Sequence, residues 1–192
     1  MPNSAAGYIE NLMATWIEST IRMSRLDEDV QLMLQKYIDL LKKRFGSRLV
    51  SVALFGSVAR GTAHFPESDV DILLVIEGLE GISLGSRLDM LLDVHREFRG
   101  TAGYTRFKQD KGCSPSFQEH VLTSKELLKH PPILLDLITD SIIFLDRGVL
   151  KKELEAIRFK LKELGAVKVR LQDGSWYWNL KPTLKLGEEV QI

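Results

Sequence analysis

Asp69 and Asp71 stand two apart at the mouth of an apolar run, Val70–Ile76. In an extended chain, alternation aims both carboxylates to one side and Ile72, Leu74 and Ile76 to the other. Carboxylates held that close repel one another unless a cation sits between them, and hard oxygen ligands with open positions suit Mg2+. Upstream, another apolar run, Leu49–Phe55, delivers the chain into Gly56-Ser57. Gly56 lets the backbone approach a ligand closely, and Ser57 begins a helical turn through Val58, Ala59 and Arg60. The N–H groups of such a start favour an anion such as phosphate. A phosphate cradle beside a metal-binding pair is the minimum apparatus for moving a phosphorus-containing group, a reaction that needs positioning and charge neutralisation more than covalent help.

Each piece alone says little, because an Asp-x-Asp at a strand start is usually a solvated turn and Gly-Ser is common. Their conjunction is informative: strand, Gly-Ser, Arg60-Gly61, then Ser68-Asp69-Val70-Asp71 opening a second strand. Over residues 49–76, and more loosely through Arg147, the chain resembles the DNA-polymerase-β-like nucleotidyltransferases, especially their minimal, stand-alone prokaryotic type. The signature there is Gly-Ser followed after about ten residues by Asp-x-Asp. Here the interval is 11 residues, 58–68, and the extra one is placed in the loop at His64-Phe65-Pro66. The resemblance implies a nucleoside triphosphate, usually ATP, with Mg2+, and transfer of a nucleoside monophosphate to a hydroxyl acceptor with release of pyrophosphate. By the same analogy Gly56 and Ser57 hold the terminal phosphates, Asp69 and Asp71 hold the metals, and Arg60 and Ser68 shape the loop or touch phosphate. Active members carry a third acid on a later strand, shared with a metal and helping to deprotonate the acceptor. Glu119 is the candidate, although it alternates with Phe117 and Val121, so that face is alternatively an apolar one.

Other groups carry weaker signals. His64, His95, His120 and His130 are scattered without metal-ligand spacing and are read as surface or helix-face residues. Cys113 lacks an activating context. Arg96, Arg99, Arg106, Lys108 and Lys111 gather around Tyr104 and Phe107, either as a solvated loop or as a grip on a triphosphate or RNA-like acceptor. Near the C-terminus, Trp176, Tyr177 and Trp178 form a dense aromatic group. Trp176 and Trp178 share one strand face, suited to covering apolar surface, with partner binding or base stacking as alternatives. A second Gly-Ser, 174–175, has no acidic pair downstream.

The elements that must position these residues follow from periodicity. Helical spacing is seen over residues 4–25 and 29–44, the latter ended by Gly46. After the strands 49–55 and 70–76, one helix is expected across 84–98, then an irregular excursion over 100–115 rich in Gly, Lys and Arg. A third strand, 117–122, precedes a short helix capped by Ser124 and another following Pro131-Pro132. A fourth strand spans 142–145, and a last amphipathic helix ends at Gly165. Strands alternating with helices predict an α/β (α+β) fold, a small mixed sheet flanked by helices, with N- and C-terminal extensions. The expected partition is a helical extension over 1–47, a core over 48–147, and a C-terminal helix with an aromatic tail over 148–192, all in one compact unit.

Composition bounds the rest. The 192 residues suffice for one substantial core, and 44% hydrophobic with 27% charged residues excludes wholesale disorder. Lys plus Arg equals Asp plus Glu at 26 each, so no whole-protein steering toward nucleic acid is expected. A single Cys, no membrane-length apolar run and no signal-peptide pattern lead to a cytoplasmic expectation. The expected partners are a nucleoside triphosphate and a hydroxyl acceptor, with a protein partner and a homodimer as further expectations. The principal expectation is an Mg2+-dependent transferase of AMP from ATP. Its rivals are an antitoxin-like partner of a small helical toxin and a nucleotide-binding regulator with a degenerate site.

Overall fold

The computed structural model describes residues 21–172, 176–185 and 188–190. The periodic segment at 4–25 therefore lies mostly outside the described residues, as does the second Gly-Ser. Helix α1, Glu28–Phe45, opens with Glu28 and Asp29 and closes with Lys42, Lys43 and Arg44, charges that suit the two ends of its dipole. Its stripe of Val30, Met33, Leu34, Tyr37, Ile38 and Leu41 is buried. Gly46, at φ +56°, turns the chain out of the helix into a short 3-10 turn and then into β1, Leu49–Phe55.

Four strands form one mixed sheet in the order β3-β2-β1-β4, with β2 at Val70–Ile76, β3 at Phe117–Leu122 and β4 at Ile142–Asp146. β1 lies antiparallel to both β2 and β4, whereas β2 and β3 run parallel. A second, two-stranded antiparallel sheet joins β5, Val167–Arg170, to β6, Trp176–Asn179.

Alternation along the strands sorts their side chains into two apolar clusters. Ile72, Leu74 and Ile76 of β2 join Val52 and Leu54 of β1 and pack against α1. The same cluster takes in Val94 and Phe98 of α4, Leu92–Phe98, and Phe107 of α5, Ala102–Lys111. On the opposite face, Leu73 and Val75 join Ala53 and Phe55. These meet Leu127 of α6, Ser124–Leu127; Leu134, Leu137 and Ile138 of α7, Leu134–Asp140; and Leu150, Leu154, Ile157 and Leu161 of α8, Leu150–Leu164. Helices thus cover both faces, and β1 is buried at every position. Among the described residues, no helix is long and apolar enough to cross a membrane.

Three elements depart from the sequence expectation. The helix expected across 84–98 is two, α3 at Leu84–Asp89 and α4, because the chain bends at Met90–Leu91 while its apolar spacing stays in phase. The expected excursion over 100–115 is mostly α5, started by the Thr101 side chain accepting from Tyr104 N and stopped by Gly112 at φ +71°. Only Gly103 and Phe107 of α5 are buried, so no apolar stripe announces it. Gly103 sits flush on α1, where an added Cβ would stand 2.8 Å from the Leu32 carbonyl oxygen. The third departure is β5, which pairs with the aromatic strand to make a hairpin.

Candidate active site

The first site residues are positioned by the turn out of β1. Phe55 is the last residue of β1 and pairs across the sheet with Asp71 of β2. Immediately after it, Gly56 adopts φ +73° and starts the single helical turn α2, Gly56–Arg60. An added Cβ on Gly56 would collide with Asp71 Oδ2 and stand 2.8 Å from its Cγ. Only glycine satisfies both the backbone angle and the carboxylate packed on it. The Gly-Ser turn and the second aspartate are therefore one packed unit.

The loop between α2 and β2 is closed at its base by Ser68. The Ser68 Oγ accepts from His64 N at 2.9 Å, and Ser68 N donates to His64 O at 2.9 Å. Phe65 anchors the same loop by meeting Phe107 edge-on, with ring centroids 4.9 Å apart. This fold-back absorbs the long interval between Gly56-Ser57 and the acidic pair.

A cleft of about 450 Å3 opens over these residues. It is lined by Gly56, Arg60, Asp69 and Asp71, and by Gln118, His120, Asp136 and Trp176, with Phe55 and Ile133 completing the wall. The expected residues Gly56, Arg60, Asp69 and Asp71 are brought together, while Ser57 and Ser68 do not line the cleft. Asp71 is half-buried, and burial raises its carboxyl above the ordinary value. His120 and Arg60 pull it back, and Asp69 and Asp136 push it up. Asp136 is raised mainly by burial too, opposed by the charges of Lys168, Arg60 and His120. Asp71 and Asp136 thus share the neighbourhood of Arg60 and His120, with Lys168 close to Asp136.

Glu119 does not join them. β3 runs parallel to β2 with Asp71 abreast of Gln118, Ile72 abreast of Glu119 and Leu73 abreast of His120. Residues abreast point to the same side, so Gln118 and His120 face the cleft and Glu119 faces α1. There the Tyr37 hydroxyl donates to Glu119 Oε1 at 2.5 Å, and His95 Nε2 stands 2.7 Å from the same oxygen. Burial raises the Glu119 carboxyl, but these two hydrogen bonds outweigh it and leave its pKa below the ordinary value. Tyr37, fully buried, is pushed well above the ordinary tyrosine range by burial and then by the Glu119 charge. Glu119, expected to complete a metal-binding triad, is not brought beside Asp69 and Asp71: it is held with Tyr37 and His95 in a polar cluster across the sheet. Among the described residues, no group of three or more His, Cys, Asp or Glu is placed to hold a metal ion. The carboxylates lining the cleft, all hard oxygen donors, are those of Asp69, Asp71 and Asp136. Burial and the neighbouring Asp69 charge leave Asp71 in need of a counter-charge, a setting that fits a divalent cation completed by phosphate oxygens and water.

Sequence reasoning missed several lining residues. His120 was expected on a surface or helix face and instead stands on the cleft side of β3. The parity of β3 was the available signal, since whichever face took Glu119, its neighbours took the other. Asp136 emerges because α7 buries Leu134, Leu137 and Ile138 and leaves that position toward the cleft. The cationic group near Tyr104 is not part of the cleft. Arg106 pairs with Glu28 and Lys111 with Asp27, tying α5 to the start of α1, while Arg96 pairs with Asp93.

The family described as "Nucleotidyltransferase domain" matches residues 34–184. A protein of Methanocaldococcus jannaschii, named "Putative protein adenylyltransferase", is 39% identical over 66 residues, 34% of this chain and 44% of that protein. The match therefore spans less than half of that relative's length. A crystal structure of a "putative nucleotidyltransferase" from Sulfolobus solfataricus is 27% identical, covering 69% of this chain and 88% of that one, with a TM-score of 0.36. The structure of a toxin–antitoxin with AMP-PNP is 15% identical, covering 68% of this chain and 91% of that one, with a TM-score of 0.40.

Proposed function

Because the chain belongs to the nucleotidyltransferase domain family, we propose that it transfers AMP from ATP to a hydroxyl acceptor and releases pyrophosphate. The observation that carries this reading is the packing of Gly56 against the Asp71 carboxylate at the mouth of a cleft shared with Asp69 and Arg60. A phosphate-receiving turn and an acidic pair meet there, as nucleotidyl transfer requires. Asp69 and Asp71 would hold Mg2+, which when bound would neutralise phosphate charge and lower the barrier to attack at the α-phosphorus.

The chain's own residues supply the rest. The Gly56-Ser57 turn seats the terminal phosphates against backbone N–H groups. Arg60, at the exposed end of α2, faces the charge that accumulates on the departing pyrophosphate. Ser68 holds the loop that presents Asp69. His120, in the cleft lining, is the group we assign to take up the acceptor proton. A protein hydroxyl is the acceptor class we favour, following the name of the M. jannaschii relative.

The experiment is incubation with α-labelled ATP, Mg2+ and a cell extract, comparing the wild type with Asp69→Asn/Asp71→Asn. Label should enter protease-sensitive material with the wild type alone. Equal labelling by both proteins overturns the proposed site, and nuclease-sensitive label overturns the protein acceptor.

A further inference from the structure

One wall of the cleft comes from outside the main sheet. β6 pairs with β5 so that Arg170 lies opposite Trp176 and Lys168 opposite Trp178. Trp178 and Leu180, together with Ala166, pack against the apolar cluster formed by the sheet, α7 and α8, which fixes the hairpin. Alternation places Trp176 on the same side of β6 as Trp178. Two positions nearer the strand's start, Trp176 passes the edge of that cluster and lines the cleft with Gly56, Arg60, Asp69 and Asp71.

The indole is held from one side. Lys168 Nζ lies 3.8 Å from the centroid of the Trp176 ring, and it also donates to Thr139 Oγ1 at 3.2 Å. A cation on one face of an indole is an attractive arrangement that restrains the ring. The ring is half-buried and lines the cleft. Phe55, the other carbocyclic ring of the lining, is buried to 4% exposure. Trp176 is therefore the broad apolar plane of a cleft whose remaining lining is mostly charged or polar. The same lining includes Ile133 and the exposed Gln118, whose amide offers both a donor and an acceptor.

We propose that Trp176 is the stacking platform for the nucleobase of the triphosphate, with Lys168 restraining the indole and Gln118 available to the base edge. The proposal rests on the transferase reading above and adds to it where the base goes. A planar base presents a π-face to an indole, while the phosphates it carries need the cationic and backbone end of the same cleft.

Calorimetric titration of the full chain in Mg2+ tests it, with ATP and inorganic tripolyphosphate as separate probes. Trp176→Ala should weaken ATP by about tenfold or more and tripolyphosphate by less than about twofold. Trp176→Phe should recover most of the ATP affinity. ATP bound equally by wild type and Trp176→Ala overturns the stacking role and leaves the transferase reading standing. Parallel loss of both probes, not recovered by Trp176→Phe, assigns Trp176 to holding the cleft's shape and also overturns it. Failure of the wild type to bind ATP at all overturns both readings.

Discussion

Asp71 Oδ2 occupies the space that a side-chain carbon on Gly56 would need. The relationship couples the two motifs more tightly than their separation in the chain suggests, because any side chain at 56 displaces the carboxylate at 71. Gly56→Ala should therefore cut AMP transfer about a hundredfold, the usual cost of misplacing a catalytic group by about an ångström. A non-glycine residue at φ +73° should also cost about 1–2 kcal/mol of stability. Pyrophosphate release and urea unfolding measure the two effects, and near-wild-type turnover would show that the packing is not required.

Asp71→Asn should separate chemistry from folding. Its carboxyl is raised by burial and by neighbouring carboxylates, so the ionised form is a burden on the folded protein at neutral pH. The amide should leave the melting temperature unchanged or higher while AMP transfer falls about a hundredfold or more. ATP with Mg2+ should raise the wild-type melting temperature and shift the variant much less. A variant that is both inactive and unstable would mean that Asp71 serves the fold.

Glu119→Gln should do the reverse. Glu119 lies on the α1 side of the sheet with Tyr37 and His95, so its loss should not alter the Mg2+ dependence of turnover. Removing a charged acceptor from a buried tyrosine should cost about 2 kcal/mol in urea unfolding. A large rise in the Mg2+ concentration needed for half-maximal rate would return Glu119 to the metal site.

Acid should loosen the protein at Arg87. This buried side chain donates to the carbonyls of Leu79, Ile82 and Val121 and makes two hydrogen bonds to Glu126, at 2.6 and 2.8 Å. Arg87 holds the Glu126 carboxyl down at about 2, against an ordinary value of 4.5. A depressed carboxyl stabilises the fold above its unfolded pKa and loses that contribution as pH falls through the folded one. Stability should therefore fall from about pH 4.5 toward pH 2, and Glu126→Gln should flatten the fall while costing about 2 kcal/mol at pH 7. Urea midpoints at pH 7, 4 and 3 check the slope, and identical slopes for both proteins would remove Glu126 as its source.

Much of this architecture was legible along the chain, for reasons visible at particular residues. Three of the four main strands, β1, β2 and β4, are largely apolar runs that border a glycine within two residues. α1 buries an unbroken stripe, and Gly56 beside Asp71 follows from a motif whose two halves belong to paired strands. The side of β3 that carries the cleft was not legible. Phe117, Glu119 and Val121 against Gln118, His120 and Leu122 is a choice settled by the parallel register with β2, a long-range property that no local pattern records. α5 escaped notice because Gly103 and Phe107 are its only buried residues. The aromatic strand was recognised, but its place beside the acidic pair depends on β5 and on the anchoring of Trp178.

The β3 register carries a lesson for redesign. Anyone wishing to engineer an additional acid beside the aspartates would err by tuning position 119, however inviting its chemistry. Codons 118 and 120 address the productive side: a carboxylate written at 118 would stand level with Asp71, and one at 120 would stand level with Leu73. A step of one residue, about 3.3 Å of strand, separates a buried structural polar group from a prospective ligand.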